Sequence, residues 1–398
     1  MPPTVPPSSQ FEPRHILVRG VNWLGDAVMT TPALQRLRER FPQAHIALAT
    51  PAKLADLWQL HSAVNEVISI TPGSSPWAVS RIFRNSGFAA RGPNLDQQNP
   101  GFDLAIIFPN SPRSALEPWL ARIPRRLGYA RPWRNWLLTD CIPARPDHVP
   151  MIKLSEKQVR QLVSKSPRFP HPIGTPTTNS HQTIEYLHLV AAAGADSTLT
   201  APRVEICEKE LTSVADRLAS MTGRSGSKLW LGLNPSAAYG AAKCWPAENF
   251  VATARAISQK FPEVMWLLFG TKNDESQCSK VAAAVGNSVV NVAGKTSLRE
   301  LMATLKLCRL LLTNDSGPMH LAAALGTPVI ALFGSTSPQL TGPGLPGDSA
   351  HRLLQAGVAC APCFRRDCPI DLRCLTGITV ETAVAAVTAV LTRPDRGL

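Results

Sequence analysis

The sequence predicts an α/β protein built from two doubly wound halves, each a parallel sheet covered by helices. Three observations carry that prediction. Short apolar runs of about four to six residues alternate with segments of 3.6-residue periodicity, the mark of parallel βαβ units. The alternation occurs twice, separated by a stretch between about 145 and 180 where Pro, Ser and Thr dominate. The length of 398 residues suffices for two or three domains at roughly 150 residues each.

Taken in order, residues 1–13 form a proline-rich leader expected to be disordered, and an N-terminal domain is expected over 14–197. Its strands are expected at 15–19, 46–50, 64–70 and 104–108, with helices at 31–41, 54–60 and about 113–122. Residues 71–101, rich in Pro, Ser, Gly and Asn, read as an insertion holding at most one short helix. The pattern resumes with a helix over 181–193 and a linker near 195–204, so the C-terminal domain is expected over 198–398. Its strands are expected at 229–233, 264–269, 289–292, 310–313 and 329–333. Two such halves are expected to leave a cleft between the carboxyl ends of their strands, where ligands of doubly wound folds bind.

Composition narrows the function classes. Apolar residues make up 44% and charged residues 17%, an ordinary globular balance that argues against wholesale disorder. No apolar run approaches the roughly 20 residues of a membrane helix, and the first residues do not read as a secretory signal. An integral membrane or secreted protein is therefore not expected, and most of the nine cysteines are expected to stay reduced. The formal charge of +13 points to a polyanionic partner: nucleic acid, an anionic membrane surface or a phosphorylated substrate.

Three loops following expected strands carry the chemistry. Arg19-Gly-Val-Asn22-Trp-Leu-Gly-Asp26 enters a helix, and Asp26 reads either as a general base on a hydroxyl or as a helix cap. In Asn234-Pro-Ser236-Ala-Ala-Tyr-Gly-Ala-Ala-Lys243-Cys-Trp-Pro246, small residues allow close approach of a phosphate and Lys243 supplies a cation. The spacing is not that of a P-loop, and a surface lysine beside a helix start is the competing reading. In Thr313-Asn-Asp315-Ser316-Gly317-Pro-Met-His320, a hydroxyl and backbone amides stand at a helix N-terminus, a ready anion site. Asp315 there reads as an acceptor for sugar hydroxyls or as a turn residue, and His320 as a site residue or a satisfied, partly buried side chain. Together the loops suit group transfer from a nucleoside diphosphate donor.

RGVNWLGDAVMTTPAL, NPSAAYGAAKCWP, LLTNDSGPMHLAAALGTPVIALFGSTSP and PNSPRSALEPWLARIPRRLGYARPWR resemble the lipopolysaccharide heptosyltransferase II group of glycosyltransferase family 9, over nearly the whole chain. The resemblance implies a GT-B fold and an inverting, metal-independent transfer of L-glycero-D-manno-heptose from ADP-heptose to the heptosyl inner core of lipopolysaccharide. ADP-heptose would be a co-substrate, with no cofactor. The resemblance places the base on Asp26 and the phosphate-contacting lysine on Lys243, with donor contacts from Ser236, Asp315, Ser316, Gly317 and His320. It leaves Asp274 and Glu275 competing for the donor ribose.

Residues 113–134 carry six arginines against one acid, Glu117. Arg113, Arg122, Arg125 and Arg126, with Asn22, are expected to meet the anionic acceptor, and the same segment a negative membrane surface. The implied setting is a cytoplasmic monomer, peripheral at the inner membrane. Cys360, Cys363, Cys368 and Cys374 lie within fifteen residues. Only the first pair has zinc-type spacing, so a free-thiol loop is expected ahead of a metal site. Two rivals stand beside this reading. One is another GT-B nucleotide-sugar enzyme, such as an epimerase. The other is a basic nucleic-acid-binding protein, disfavoured because the basic segment is expected to lack interleaved exposed aromatics.

Overall fold

The computed structural model describes residues 11–86, 101–165, 180–222 and 229–393. Contacts divide the chain into two units: Met1–His148 with Gln182–Thr200, and Val149–His181 with Ala201–Leu398. The first unit holds strands β1 (His15–Arg19), β2 (His45–Pro51), β3 (Glu66–Ile70), β4 (Leu104–Ile107), β5 (Arg125–Tyr129) and β6 (Asp140–Ile142). They form one parallel sheet in the order β3-β2-β1-β4-β5-β6. The second unit holds β7 (Leu229–Asn234), β8 (Val264–Leu268), β9 (Val289–Asn291), β10 (Leu310–Asn314), β11 (Val329–Leu332) and β12 (Arg352–Leu354), again all parallel. Their order, β12-β11-β10-β7-β8-β9, is the same 3-2-1-4-5-6 winding read from the other edge. Both sheets therefore have the dinucleotide-fold topology, with the strand order reversing between β1 and β4 and between β7 and β10.

The central strands form where they do because they are buried on both faces. Every residue of β4, β10 and β11 is buried, as a parallel sheet sandwiched by helices requires. Around β7, β8 and β10 a core of Leu231, Trp266 and Leu312 packs with Trp245 and Phe250 from the adjoining helix layer. In the first unit Leu17, Ala47 and Ala105 pack with Val79 and Phe83 of helix Pro76–Ser86.

The expected elements recur with four differences. Residues 52–58 form a 3₁₀ turn instead of an α-helix. Strands β5, β6 and β12 had no apolar run to announce them: β5 reads RRLGY, and β6 and β12 are three residues long. Helices Glu156–Lys165 and Glu208–Thr222 were not foreseen. The segment before the 181–193 helix also packs with the second unit. Val159 joins that unit's core, the Leu154 amide bonds the Cys363 carbonyl, and His181 bonds the Gly342 carbonyl. The chain thus passes between the units at 148/149, 181/182 and 200/201, where a single boundary at 197/198 was expected.

From the leader, Pro13 is buried and Glu12 pairs with Arg40 at 2.6 Å, while residues 1–10 lie outside the described residues. The 71–101 insertion contributes helix Pro76–Ser86; its residues 87–100, and 166–179 of the later Pro-rich stretch, lie outside them as well. Among the described residues no helix is long and apolar enough to cross a membrane.

Candidate active site

In the second unit the two motif loops leave β7 and β10, neighbouring strands on either side of the switch point. The strand pairing sets Thr313 against Asn234, and the loop polar groups then lock together. The Asn234 amide donates to Thr313 Oγ1 at 2.9 Å and to Ser316 Oγ at 3.0 Å. Asn314 accepts from the Trp245 amide at 2.9 Å and donates to the Pro235 carbonyl at 2.7 Å. Each loop is thus stapled to the other by side-chain amides buried in the sheet end, which makes the site rigid before any ligand arrives.

The central feature is an ion pair. Lys243 Nζ lies 2.7 Å from Asp315 Oδ2, and the same oxygen accepts from Thr336 Oγ1 at 2.5 Å. Asp315 is 4% exposed, so Lys243 supplies the charge that makes its burial tolerable. The reading of Lys243 as a surface lysine does not describe this arrangement. Ser316 is the N-cap of helix Gly317–Ala324 in extended backbone geometry, with no side-chain cap bond. The Ser316 side chain thus leaves the N-terminus of that helix uncapped beside a lysine, an arrangement that suits an anion. His320 is buried in the same helix, and burial pushes its pKa down to about 4. It is neutral at ordinary pH.

Ser236 is buried, and its Oγ makes no hydrogen bond among the described residues. Of the two acids expected to compete for a ribose, Asp274 is occupied: its carboxylate accepts from the amide and hydroxyl of Thr271 in a capping box. Glu275, one residue on, is exposed and opens helix Glu275–Val285.

Arg366 is a site neighbour that the motifs did not reveal. Its guanidinium lies 5.3 Å from the Tyr239 ring centre, on a ring that Lys243 also approaches at 4.9 Å. The Arg366 carbonyl accepts from the Ala242 amide at 2.8 Å, and a side chain at Gly240 (φ +152°) would strike that carbonyl at 2.6 Å. Glycine is needed there so that the cysteine-rich segment can seat against the Lys243 loop. All nine cysteines are unpaired thiols. Burial and mutual charge raise the pKa values of Cys360, Cys363 and Cys374, the last to about 12. Among the described residues no group of three or more side chains is placed to hold a metal ion.

In the first unit the corresponding loop follows β1. Gly20 packs so closely on β2 that a Cβ would lie 3.1 Å from the Ala49 carbonyl and 3.2 Å from Leu48. Arg19, 6% exposed, donates to fully buried Glu117 at 2.7 Å and to the Gly20 carbonyl at 2.7 Å. This buried pair, 98 residues apart in sequence, fixes the base of the loop. Asp26 stands in the first turn of helix Leu24–Met29, whose N-cap is Trp23 without a side-chain cap bond. The cap reading of Asp26 therefore fails. Asp26 is half-buried, and its charge, added to complete burial, drives the Tyr186 hydroxyl pKa well up. Asn22 is exposed in the turn before it.

The arginines expected to meet an acceptor separate into kinds. Arg125 is held by Asp140 (Nη2–Oδ1 2.9 Å). Arg126 spends its donors on the carbonyls of Ile123, Pro124 and Leu137, and burial lowers its pKa. Arg113 pairs with Glu117 at 3.4 Å, and Arg134 is wholly buried, with burial pushing its pKa down to about 10. Arg122 is exposed. The same segment carries exposed Trp119 and Trp133, with Trp136 just after it, which corrects the expectation that it lacks interleaved exposed aromatics.

The pattern of the family described as Glycosyltransferase family 9 (heptosyltransferase) matches residues 95–373. The chain belongs to glycosyltransferase family 9. Lipopolysaccharide heptosyltransferase 2 of Salmonella typhimurium is 29% identical over 332 residues, covering 82% of this chain and 85% of the relative. The protein of the same name from Escherichia coli is 28% identical, with 82% and 85% covered. Among solved structures, Escherichia coli ADP-heptose lipopolysaccharide heptosyltransferase II superposes with a TM-score of 0.70 at 25% identity, covering 95% of this chain and 98% of that one. A family 9 glycosyltransferase from Veillonella parvula gives 0.72 at 22% identity, covering 95% and 97%. The protein is accordingly a nucleotide-sugar-dependent glycosyltransferase with the two Rossmann-like units of the GT-B class.

Proposed function

We propose that this glycosyltransferase transfers heptose from ADP-heptose to the heptosyl inner core of lipopolysaccharide, as the second heptose, by an inverting and metal-independent displacement. The observation that carries the reading is the Lys243–Asp315 pair at the mouth of helix Gly317–Ala324. An arriving diphosphate competes with Asp315 for the Lys243 ammonium and takes the open helix amides. Asp315, released, turns its carboxylate to a sugar hydroxyl. The likeness to heptosyltransferase 2 relatives along more than four-fifths of both chains supports the choice of sugar and acceptor.

In the displacement, Asp26 accepts the proton of the acceptor hydroxyl as its oxygen forms a bond to the anomeric carbon. The bond from that carbon to the diphosphate oxygen breaks on the opposite face, and ADP departs with the electron pair. Lys243 and the helix N-terminus stabilise the charge that develops on the leaving phosphate, a task that metal ions perform in other transferases. Glu275 is the acid assigned to the donor ribose, since the Asp274 carboxylate is committed to its capping box.

The test is mass analysis of products from ADP-heptose and lipopolysaccharide acceptors of defined truncation, with and without a chelator. One added heptose on the mono-heptosylated acceptor, unaffected by chelation, is the expected result. Addition only to the heptose-free acceptor would sink the second-heptose assignment. Turnover of ADP-heptose with no acceptor, giving an isomerised nucleotide sugar, would sink the transferase reading of the site.

A further inference from the structure

At its sheet edge the second unit holds a cavity of about 370 Å³, near the small end of the roughly 300–1,000 Å³ typical of small-molecule sites. Strand β12 is the outermost strand there, and successive side chains of a strand point to opposite faces. His351, Leu353 and Gln355 accordingly line the cavity, while Arg352 and Leu354 between them do not. The facing wall is the segment from helix Pro338–Thr341 to Asp348. Pro338, Pro343 and Pro346 stiffen that wall. The Asp348 amide bonds the Leu345 carbonyl at 3.1 Å, and His181 Nε2 bonds the Gly342 carbonyl at 3.0 Å. The shape is therefore set before a ligand enters.

The polar groups of the cavity are complementary to hydroxyls. His351 is buried and its Nδ1 accepts from the Val329 amide at 3.3 Å, so the neutral ring carries its proton on Nε2. Burial lowers the His351 pKa against the pull of Asp348. Nε2 lies 3.7 Å from Asp348 Oδ2, beyond a direct hydrogen bond. One hydroxyl placed beside both accepts from the imidazole and donates to the carboxylate. Gln339 Oε1 accepts from Ser337 Oγ at 2.6 Å, which leaves its amide N–H groups to donate, and Gln355 offers both a donor and an acceptor. Proline and leucine side chains supply apolar walls for the C–H faces of a ring. Among the described residues lining the cavity there is no lysine or arginine, although the chain carries a formal charge of +13. Burial lowers the pKa of both lining histidines, which leaves Asp348 as the formal charge and disfavours a phosphate or carboxylate.

We propose that this cavity is a subsite for a neutral sugar residue, gripped through its hydroxyls by His351, Asp348, Gln339 and Gln355. It goes beyond the transfer reaction proposed above and lies beside the donor loops: Thr336, bonded to Asp315 at 2.5 Å, is two residues from Pro338. A donor's sugar and a sugar of the acceptor glycan present the same hydroxyl chemistry.

Saturation-transfer NMR of the full chain with methyl α-D-mannopyranoside tests the site without any transfer reaction. Contact is expected, and saturating ADP is expected to leave it unchanged. Gln355→Leu is expected to weaken binding about fivefold, the worth of one neutral hydrogen bond, and Asp348→Asn about tenfold, the worth of one to a charged acceptor. Both changes nearly conserve side-chain volume, and parental thermal melts would verify their folding. Displacement of the mannoside by ADP-heptose but not by ADP would assign the subsite to the donor's sugar, and displacement by a soluble acceptor glycan to the acceptor's. No contact, binding unchanged in both variants, release by ADP alone, or tighter binding of mannose 6-phosphate than of the neutral sugar would each overturn the proposal. Failure of heptose transfer with mannoside binding retained would count against the functional reading and leave the subsite standing.

Discussion

The two units wind their strands in the same order, yet they place their charge in opposite ways. At the switch point of the second, the charged and amide side chains at the sheet end are already paired with one another: Lys243 with Asp315, Asp315 with Thr336, Asn234 with Thr313 and Ser316. On the outer layer of the first, Trp133, Arg81 and Arg122 face solvent. A small charged ligand suits the first kind of surface, where a largely fixed set of dipoles leaves one ion pair to exchange. A broad, soft partner suits the second. Identical topology thus carries two different surfaces, and the loops and outer helices make the difference.

The largest expected effect breaks the division of labour between units. Asp26→Ala should cut transfer by about 10²–10⁴-fold, the usual worth of a general base, with ADP-heptose affinity by calorimetry unchanged. A variant with near-parental turnover would remove Asp26 from the mechanism. Glu117→Ala should destabilise the protein by about 3–5 kcal/mol in denaturant melts, because it strands buried Arg19 without a counter-charge. If Glu117→Ala melts like the parent, the pair does not hold the first loop.

Lys243→Ala sharpens the contrast from the other side. Unlike Asp26→Ala it should weaken ADP binding, by about tenfold to a hundredfold for one charged contact, while also slowing transfer. Unchanged ADP affinity would refute the phosphate contact. The smallest effect is a pH dependence. His320 sits near 4 when folded against about 6.5 in an unfolded chain. Between those values the unfolded state binds a proton that the folded state refuses. Stability should therefore fall as pH drops from about 6.5 towards 4, by up to about 1.4 kcal/mol per pH unit from this residue. His320→Asn should flatten that slope in thermal melts; an unaltered slope would mean that His320 is not held neutral.

The loops were legible because each follows a strand that could be read. A strand such as LLLTN at β10, buried on both faces, is apolar until the polar residues of its carboxyl end, so that end, and the Asp315–Gly317 turn after it, could be located from the run. Charged RRLGY and three-residue β6 and β12 gave no such run. The arginines of 113–134 misled for a related reason. A guanidinium looks alike in sequence whether it caps carbonyls, as Arg126 does, is buried, as Arg134 is, or meets solvent, as Arg122 does.

Residue order alone determined the two βα series, the three loops at strand ends and the excess of positive charge, because periodicity and turn chemistry are local. Tertiary structure decided which charges pair: Arg19 with Glu117 and Lys243 with Asp315. It also assigned Val149–His181 to the second unit and brought the Trp119 and Trp136 rings within 5.8 Å of each other in the first. The first two pairs join residues 98 and 72 positions apart. Burial makes an unpaired charge costly, and only the folded sheet determines which partner comes within reach.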